Sequence, residues 1–239
     1  HEGVQSILLV ESSVRLASVF LRHLYKIILE QSREYMIEGL NEHQKMMQMR
    51  GRPKILLATG YEEAVELFEK HKTHLLGVIS DIDQYRNENR KSGTFSELFR
   101  QIREYDPNIP IITHSADTEN EKTALEFGNA FLDSNSVTLA EDMEKLLKQS
   151  FSFGDFIFTN PSNGAEIARI SDLQAFQRKL FEIPDESLRY HLSRNHLSKW
   201  LYARALFALA EFLKEISLDD FSSLDQARRF IFDTIANFR

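Results

Sequence analysis

The first 150 residues alternate between short apolar runs and amphipathic stretches, and this alternation limits the folds open to the chain. Five apolar runs predict strands at residues 5–10, 54–58, 75–80, 109–114 and 129–133. The stretches between and after them have helical spacing, at residues 13–50, 61–71, 94–105, 118–127 and 136–149. Continuous apolar runs are typical of strands covered on both faces. The pattern therefore predicts an α/β fold, with a parallel sheet, helices on both faces and right-handed crossovers.

The first predicted helix is unusually long, because a crossover needs only a dozen or so residues. Its first part has the spacing of a core-facing stripe, whereas its later part, EYMIEGLNEHQKMMQMRG, is mixed in character. That later part predicts either a projecting helical arm, a helix–turn–helix insertion, or a helix that packs on its own domain. The length of the helix also favours a homodimer formed through it.

The alternation of apolar runs and amphipathic stretches ends near residue 150. The stretch FGDFIFTNPSNGAEIA predicts a short hairpin, since NPSNG consists of residues that favour turns. Four helices follow, with N-caps predicted at Ser171, Asp185, Asn195 and Ser222 or Ser223. We therefore predict two domains, an α/β domain at residues 1–150 and a mainly helical module at residues 151–239.

Composition excludes several classes of protein. The chain has 239 residues, of which 42% are hydrophobic and 27% are charged, as in a globular protein. With no cysteine it has no disulfide and no thiolate chemistry, which fits a cytoplasmic location. No apolar run approaches the length of a membrane span. The formal charge of −7 argues against a broad nucleic-acid-binding surface.

Polar residues follow the predicted strands at the edge where open α/β sheets bind and react. Glu11 follows the first strand, Asp81 ends the third, and His114 and Ser115 end the fourth. Carboxylates from different strands could converge there on a divalent cation such as magnesium. An aspartate in this position could also attack a phosphoryl group and form an acyl phosphate.

Over residues 4–149 these motifs resemble the receiver domains of response regulators. The segments that carry the resemblance are ILLVESS, VISDI, PIITHSA and GNAFLDSNS. The resemblance implies a flavodoxin-like five-stranded sheet of order 2-1-3-4-5. It also implies that Asp81 accepts a phosphoryl group, that Glu11 and Asp81 hold Mg²⁺, and that Ser115 and Phe131 are the switch hydroxyl and switch aromatic.

The sequence departs from the family pattern at two pocket positions. The second acidic position falls on Ser12, and the lysine position falls on Ser134. The loop after Asp81 is longer than in the family, and Arg86, Arg90 or Lys91 within it could replace the missing cation. The loss of a fixed positive charge at a phosphoryl site costs about 3 kcal/mol of transition-state stabilisation.

Three interpretations of Asp81 stay open at this point. It is a working phosphoacceptor in a remodelled pocket, it binds an ion without turnover, or it is a structural remnant in a pseudo-receiver that acts by contact alone. The first predicts a sensor histidine kinase as partner. The last predicts a fused or associated enzyme domain.

The C-terminal module contains His191, His196 and Ser198, which we predict to be structural rather than catalytic. The two histidines are five positions apart, a poor spacing for one helix face. The module resembles a small bacterial domain with no assigned chemistry, found with receiver-like domains at the front of proteins similar to phosphoenolpyruvate synthase. That resemblance implies a regulatory fragment of a larger protein. We expect no enzyme activity within the chain itself, because no base, nucleophile and oxyanion site occur together.

Overall fold

The protein is described here by a computed structural model, which covers residues 3–38, 46, 48–82 and 95–238. Five parallel strands form one sheet of order β2-β1-β3-β4-β5, which confirms the predicted flavodoxin-like topology. The strands are β1 (Ser6–Val10), β2 (Lys54–Ala58), β3 (Leu75–Asp81), β4 (Ile111–Ser115) and β5 (Ala130–Asp133).

The helices that accompany this sheet follow the predicted alternation. They are α1 (Val14–Glu38), α2 (Tyr61–His71), α3 (Phe95–Tyr105), α4 (Glu121–Phe127) and α5 (Leu139–Ser150). Strands β1, β3 and β4 are buried along their whole length. This explains why their sequences are continuous apolar runs rather than alternating ones.

Strand β3 packs closely against Phe151, the residue that follows α5. A Cβ added at Gly77 would lie 2.3 Å from the nearest carbon of the Phe151 ring. The ring of Phe151 is itself buried, and its backbone N–H continues the hydrogen bonding of α5 by donating to the Leu147 carbonyl at 2.9 Å. Glycine at position 77 therefore provides the space for an aromatic ring against the central strand.

The long first helix differs from its prediction. Helix α1 ends at Glu38 rather than near residue 50, and residues 48–50 form a further helical stretch. Most of the intervening segment, at residues 39–45 and 47, lies outside the described residues. The three alternatives for the later part of the predicted helix therefore stay predictions. The homodimer predicted from the length of this helix also stays a prediction.

By the density of its internal contacts the chain divides into two compact units. The first consists of His1–Glu30 and Arg52–Phe151, and the second of Gln31–Gly51 and Ser152–Arg239. The predicted domains, 1–150 and 151–239, were continuous segments. In the observed division the later part of α1 and the segment after it belong with the C-terminal unit.

The C-terminal unit contains the antiparallel hairpin of β6 (Phe156–Thr159) and β7 (Glu166–Ile170). The turn between these strands is closed by Gly164, whose φ of 71° is in the left-handed region and whose N–H donates to the Asn160 carbonyl. The rest of the unit is mainly helical. Its helices are α6 (Leu173–Lys179), α7 (Asp185–Leu192), α8 (His196–Ala203), α9 (Phe207–Lys214) and α10 (Leu224–Phe238).

One predicted helix of this unit is two helices in the structure. The stretch from Asn195 to Ile216 is interrupted after Ala203, and Ala205 has a φ of 56°. Left-handed backbone ends a helix, and an alanine pays a steric cost there that a glycine would not. Phe212, on the second of these two helices, is 52% exposed.

The predicted caps are partly right. Asn195 stands at the N-cap position of α8 but makes no side-chain capping hydrogen bond there, whereas the Ser223 hydroxyl accepts a hydrogen bond from Gln226 N in the first turn of α10. Helix α6 is capped by Asp172 rather than Ser171, since the Asp172 carboxylate accepts from Ala175 N at 2.7 Å. Helix α7 begins after Pro184 rather than after Asp185. Within the described residues, no helix is both long and apolar enough to cross a membrane.

Candidate functional site

The carboxyl ends of β1, β3, β4 and β5 bring the predicted site residues to one edge of the sheet. In the observed register Val10 pairs with Ser80, Asp81 with His114, and Ser115 with Asp133. Glu11 follows Val10 directly, so it and Asp81 leave neighbouring strands at the same level. This edge is where a sheet of this topology holds its ligands.

Glu11 is almost fully buried, with 1% of its surface exposed. Its N–H donates to the Ala58 carbonyl at 2.9 Å, and its Oε1 accepts from Ser13 N at 2.7 Å. The backbone thus fixes the carboxyl group at the start of α1. Ser12, at the second acidic position of the family pattern, is exposed.

Asp81 is the last residue of β3 and is 9% exposed. The chain after it is tied to the neighbouring strand, because Ile82 N donates to the His114 carbonyl at 2.9 Å. Residues 83–94 lie outside the described part of the chain. The prediction that Arg86, Arg90 or Lys91 replaces the missing cation is therefore untested.

His114 lies at the centre of a buried polar group that the sequence did not predict. Its side chain is fully buried, its Nδ1 lies 3.0 Å from Ser134 Oγ, and its Nε2 lies 3.5 Å from Glu11 Oε2. The ring of Phe20, from α1, packs on the imidazole with the ring centroids 4.3 Å apart. We call these three polar side chains the Glu11–His114–Ser134 array.

Burial lowers the pKa of His114 to about 3, because the imidazolium would lose its hydration. The imidazole is therefore neutral at neutral pH and carries a single N–H. Nδ1 and the Ser134 hydroxyl share one hydrogen bond, in which either atom can be the donor, and Nε2 lies on the side of the Glu11 carboxyl group. The array thus links β1, β4 and the end of β5 without a fixed positive charge from the histidine.

Ser134 is the residue for which the sequence resemblance implies a lysine in receiver domains. It is 8% exposed, its hydroxyl contacts His114, and its N–H donates to the Ser115 carbonyl at 2.8 Å. A lysine in this position would supply an ammonium group to the edge of the sheet. Here a small hydroxyl fills the space and joins the array instead.

The two predicted switch residues have different surroundings. Ser115 is buried, and its Oγ accepts from Asp117 N at 2.9 Å and from Asn120 Nδ2 at 3.1 Å. Its hydroxyl therefore organises the loop that leads to α4. Phe131 is half-buried within β5 and pairs in register with Thr113.

Sequence reasoning placed His114 at the strand end but gave it no role. The family pattern draws attention to the next residue, Ser115, whereas the register sets His114 opposite Asp81. A histidine in an otherwise apolar run, IITH, was the available signal. The buried contacts of His114 are with Glu11 and Ser134, which are far from it in sequence.

The histidines of the C-terminal unit form a hydrogen-bonded pair. His191 Nε2 accepts from Thr159 N at 3.0 Å, so its proton is on Nδ1, which lies 3.0 Å from His196 Nδ1. This arrangement ties α7 and α8 to β6. Among the described residues, no group of three or more histidine, aspartate or glutamate side chains could hold a metal ion.

The fold has a neighbour among solved structures, whereas the sequence matches no family model. No family model matches the chain, and no curated protein matches its sequence. Among solved structures, a response regulator receiver domain protein from Clostridium thermocellum matches with 20% identity and a TM-score of 0.38. The match covers 62% of this chain and 94% of that chain.

Proposed function

We propose that the first unit is a receiver-like signalling domain in which Asp81 accepts a phosphoryl group. The observation that carries this proposal is the position of Asp81, at the carboxyl end of the central strand β3, with Glu11 at the end of the adjacent strand β1. The Asp81 carboxylate attacks the phosphorus of a donor, an acyl phosphate forms, and the donor's leaving group departs with the bonding electrons. A sensor histidine kinase is the corresponding partner.

The residues at this edge could hold Mg²⁺ with only two protein carboxylates, the remaining ligands being water. Glu11 and Asp81 are the carboxylates at the ends of the adjacent strands β1 and β3, and Ser12 stands where the resemblance implies a second acidic residue. Mg²⁺ commonly keeps several waters and uses one or two protein carboxylates. When bound, it would neutralise charge on the phosphoryl oxygens. The protein's own contribution is to hold Glu11 Oε1 on Ser13 N and to keep Asp81 at the strand end.

Ser115 and the array supply the remaining polar groups. Ser115 Oγ is held by Asp117 N and Asn120 Nδ2, so a change in its hydrogen bonding would alter the loop before α4. This gives a route from the phosphoryl site to the surface of α4 and β5, where Phe131 lies. Phosphorylation adds negative charge and oxygen acceptors that bias such a two-state surface.

A second function, a pseudo-receiver that acts by contact alone, is favoured by the Glu11–His114–Ser134 array. A receiver needs a cation near the phosphoryl group, and Ser134 stands at the lysine position in contact with a buried neutral imidazole. In this function the array stabilises the edge of the sheet. The partner is then a fused or associated enzyme domain, such as the phosphoenolpyruvate synthase-like region suggested by the sequence.

Intact mass after incubation with acetyl phosphate and Mg²⁺ distinguishes the two functions. We expect a mass increase of one phosphoryl group on the parent and on Asp133→Asn, which changes the carboxylate at the end of β5. We expect none on Asp81→Asn. Equal labelling of parent and Asp81→Asn would refute phosphoryl acceptance at Asp81.

The absence of labelling with acetyl phosphate and with a panel of histidine kinases would favour the pseudo-receiver. In that case Asp81→Asn should leave binding to the enzyme partner unchanged. His114→Leu should weaken that binding only to the extent that it destabilises the sheet edge, as measured by thermal unfolding of the same variant.

A further inference from the structure

The later part of α1 contributes buried side chains to the C-terminal unit. Gln31, Ser32 and Tyr35 are each less than 10% exposed, and all three belong to the segment Gln31–Gly51 of that unit. Burial of three side chains on one face within five residues fits a helix packed against a core. On this face, Tyr35 contacts Arg204 and Gly154 of the C-terminal unit.

Arg204, which follows α8, has a buried guanidinium group with 2% of the residue exposed. Its Nη2 donates to the Gly154 carbonyl at 2.8 Å and to the Ser171 carbonyl at 3.0 Å. Its Cζ lies 3.9 Å from the centroid of the Trp200 ring and 4.5 Å from that of Tyr35. A buried cation is costly unless it is well compensated, and aromatic faces attract it most strongly when water is excluded.

Gly154 connects the same residues through its backbone. Its N–H donates to Tyr35 Oη at 3.2 Å, and its carbonyl accepts from Trp200 Nε1 at 3.0 Å as well as from Arg204. Its φ of 82° is in the left-handed region that favours glycine. Tyr35 therefore supplies both a ring for the cation and an acceptor for a backbone N–H. We call Tyr35, Gly154, Trp200 and Arg204 the arginine clamp.

A second contact is made where the segment ends. A Cβ added at Gly51 would lie 2.5 Å from Ala205 Cβ and 2.6 Å from the nearest carbon of the Phe207 ring. The backbone of the segment therefore lies directly on the break between α8 and α9. The two contacts come from opposite ends of the segment and meet adjacent residues of the unit, Arg204 and Ala205.

We propose that residues 31–38 and 48–51 act as an intramolecular ligand of the C-terminal unit, recognised by the arginine clamp and by the contact at Gly51, and that residues 152–238 do not hold their native core without them. The inference goes beyond the proposed function, since it makes no use of Asp81. The ligand class is a helical segment of this chain that presents a tyrosine to a buried guanidinium group. The C-terminal module is on this view a discontinuous domain.

Hydrogen exchange of the full-length chain, followed by mass spectrometry, tests the proposal. Tyr35→Ala removes one face of the clamp and the acceptor for Gly154 N–H, so amides of α8 and β6 should exchange at least tenfold faster. Amides of β1 and β3 should change by less than twofold. Arg33→Ala alters an exposed side chain on the same helix and should change neither group.

A finer variant keeps the test decisive if Tyr35→Ala does not fold. Tyr35→Phe retains the ring over Arg204 and removes only the acceptor, so exchange at Gly154 should rise several-fold while α8 stays protected. Equal acceleration in the two units, acceleration confined to β1 and β3, or no change with either variant would overturn the proposal.

Discussion

His191 should make the stability of the C-terminal unit depend on pH in a predictable direction. Its Nε2 accepts from Thr159 N at 3.0 Å, and its residue is 5% exposed. Protonation would put a hydrogen on Nε2 and destroy that acceptor. Burial, and then the nearby charge of Arg194, lower the pKa of His191 to about 4.

The sign and size of the effect follow from proton linkage. An unfolded histidine has a pKa of about 6.5, so below that pH the unfolded chain binds a proton that the folded unit does not. The stabilisation is complete above about pH 6.5 and is lost as the pH falls through about 4. The difference between a pKa of about 6.5 in the unfolded chain and about 4 in the folded unit corresponds to about 3 kcal/mol. We expect about 2 kcal/mol, since the side chain relaxes toward water when it is charged.

The chain offers a local probe for this measurement. Its single tryptophan, Trp200, is fully buried in the core of the C-terminal unit. Urea unfolding followed by tryptophan fluorescence therefore reports the free energy of unfolding of that unit. Between about pH 7.5 and about pH 4.5 this free energy should fall by roughly 2 kcal/mol from His191 alone.

The matched control is His191→Gln, which keeps a side-chain acceptor for Thr159 N but does not titrate. The pH dependence of the parent should exceed that of His191→Gln by the same roughly 2 kcal/mol. Identical pH profiles for the two proteins would refute the reasoning. A profile in which the parent gains stability on acidification would reverse the assigned direction of the pKa shift.

Two further predictions concern the first unit. Gly77→Ala should destabilise it by about 2 kcal/mol through the clash with Phe151, whereas Gly60→Ala, with open space at its Cβ, should change it by less than about 0.5 kcal/mol. Thermal unfolding by circular dichroism measures both, and a second change, Phe151→Leu, should recover part of the Gly77→Ala loss; no recovery would contradict the clash. Ser134→Ala should cost about 1 kcal/mol by leaving His114 Nδ1 without its hydroxyl, and it should cost clearly less in a His114→Leu background. Equal losses in the two backgrounds, measured in the same assay, would show that the contact contributes nothing.

The sheet could be predicted because each buried strand is recognisable from its own local sequence. β1 and β3 are buried on both faces, and this burial appears in the sequence as unbroken apolar runs. The break between α8 and α9 could not be predicted in the same way. It occurs at Ala205, a good helix former held in a left-handed conformation by its surroundings, with no glycine or proline to mark it.

The positions of the candidate site residues could be predicted from single strands, whereas their roles stay predictions. Glu11, Asp81 and Ser115 stand at strand ends, which is a local property of the sequence. The Glu11–His114–Ser134 array depends on which residue of β4 lies opposite Asp81, and register is a property of paired strands. No pattern within IITHSA indicates that the histidine, rather than the serine, contacts the lysine position.

The division of the chain has a consequence for its order of synthesis. Its segments alternate between the units, in the order first, second, first, second. No single cut of the polypeptide therefore separates two complete units, because every possible cut divides at least one of them. During translation the segment that ends at Gly51 leaves the ribosome about 100 residues before Ser152, a delay of roughly 5–20 s at typical elongation rates. Tyr35 precedes Arg204 by about 170 residues, so at these rates its ring is synthesised roughly 8–34 s before the guanidinium group that it contacts.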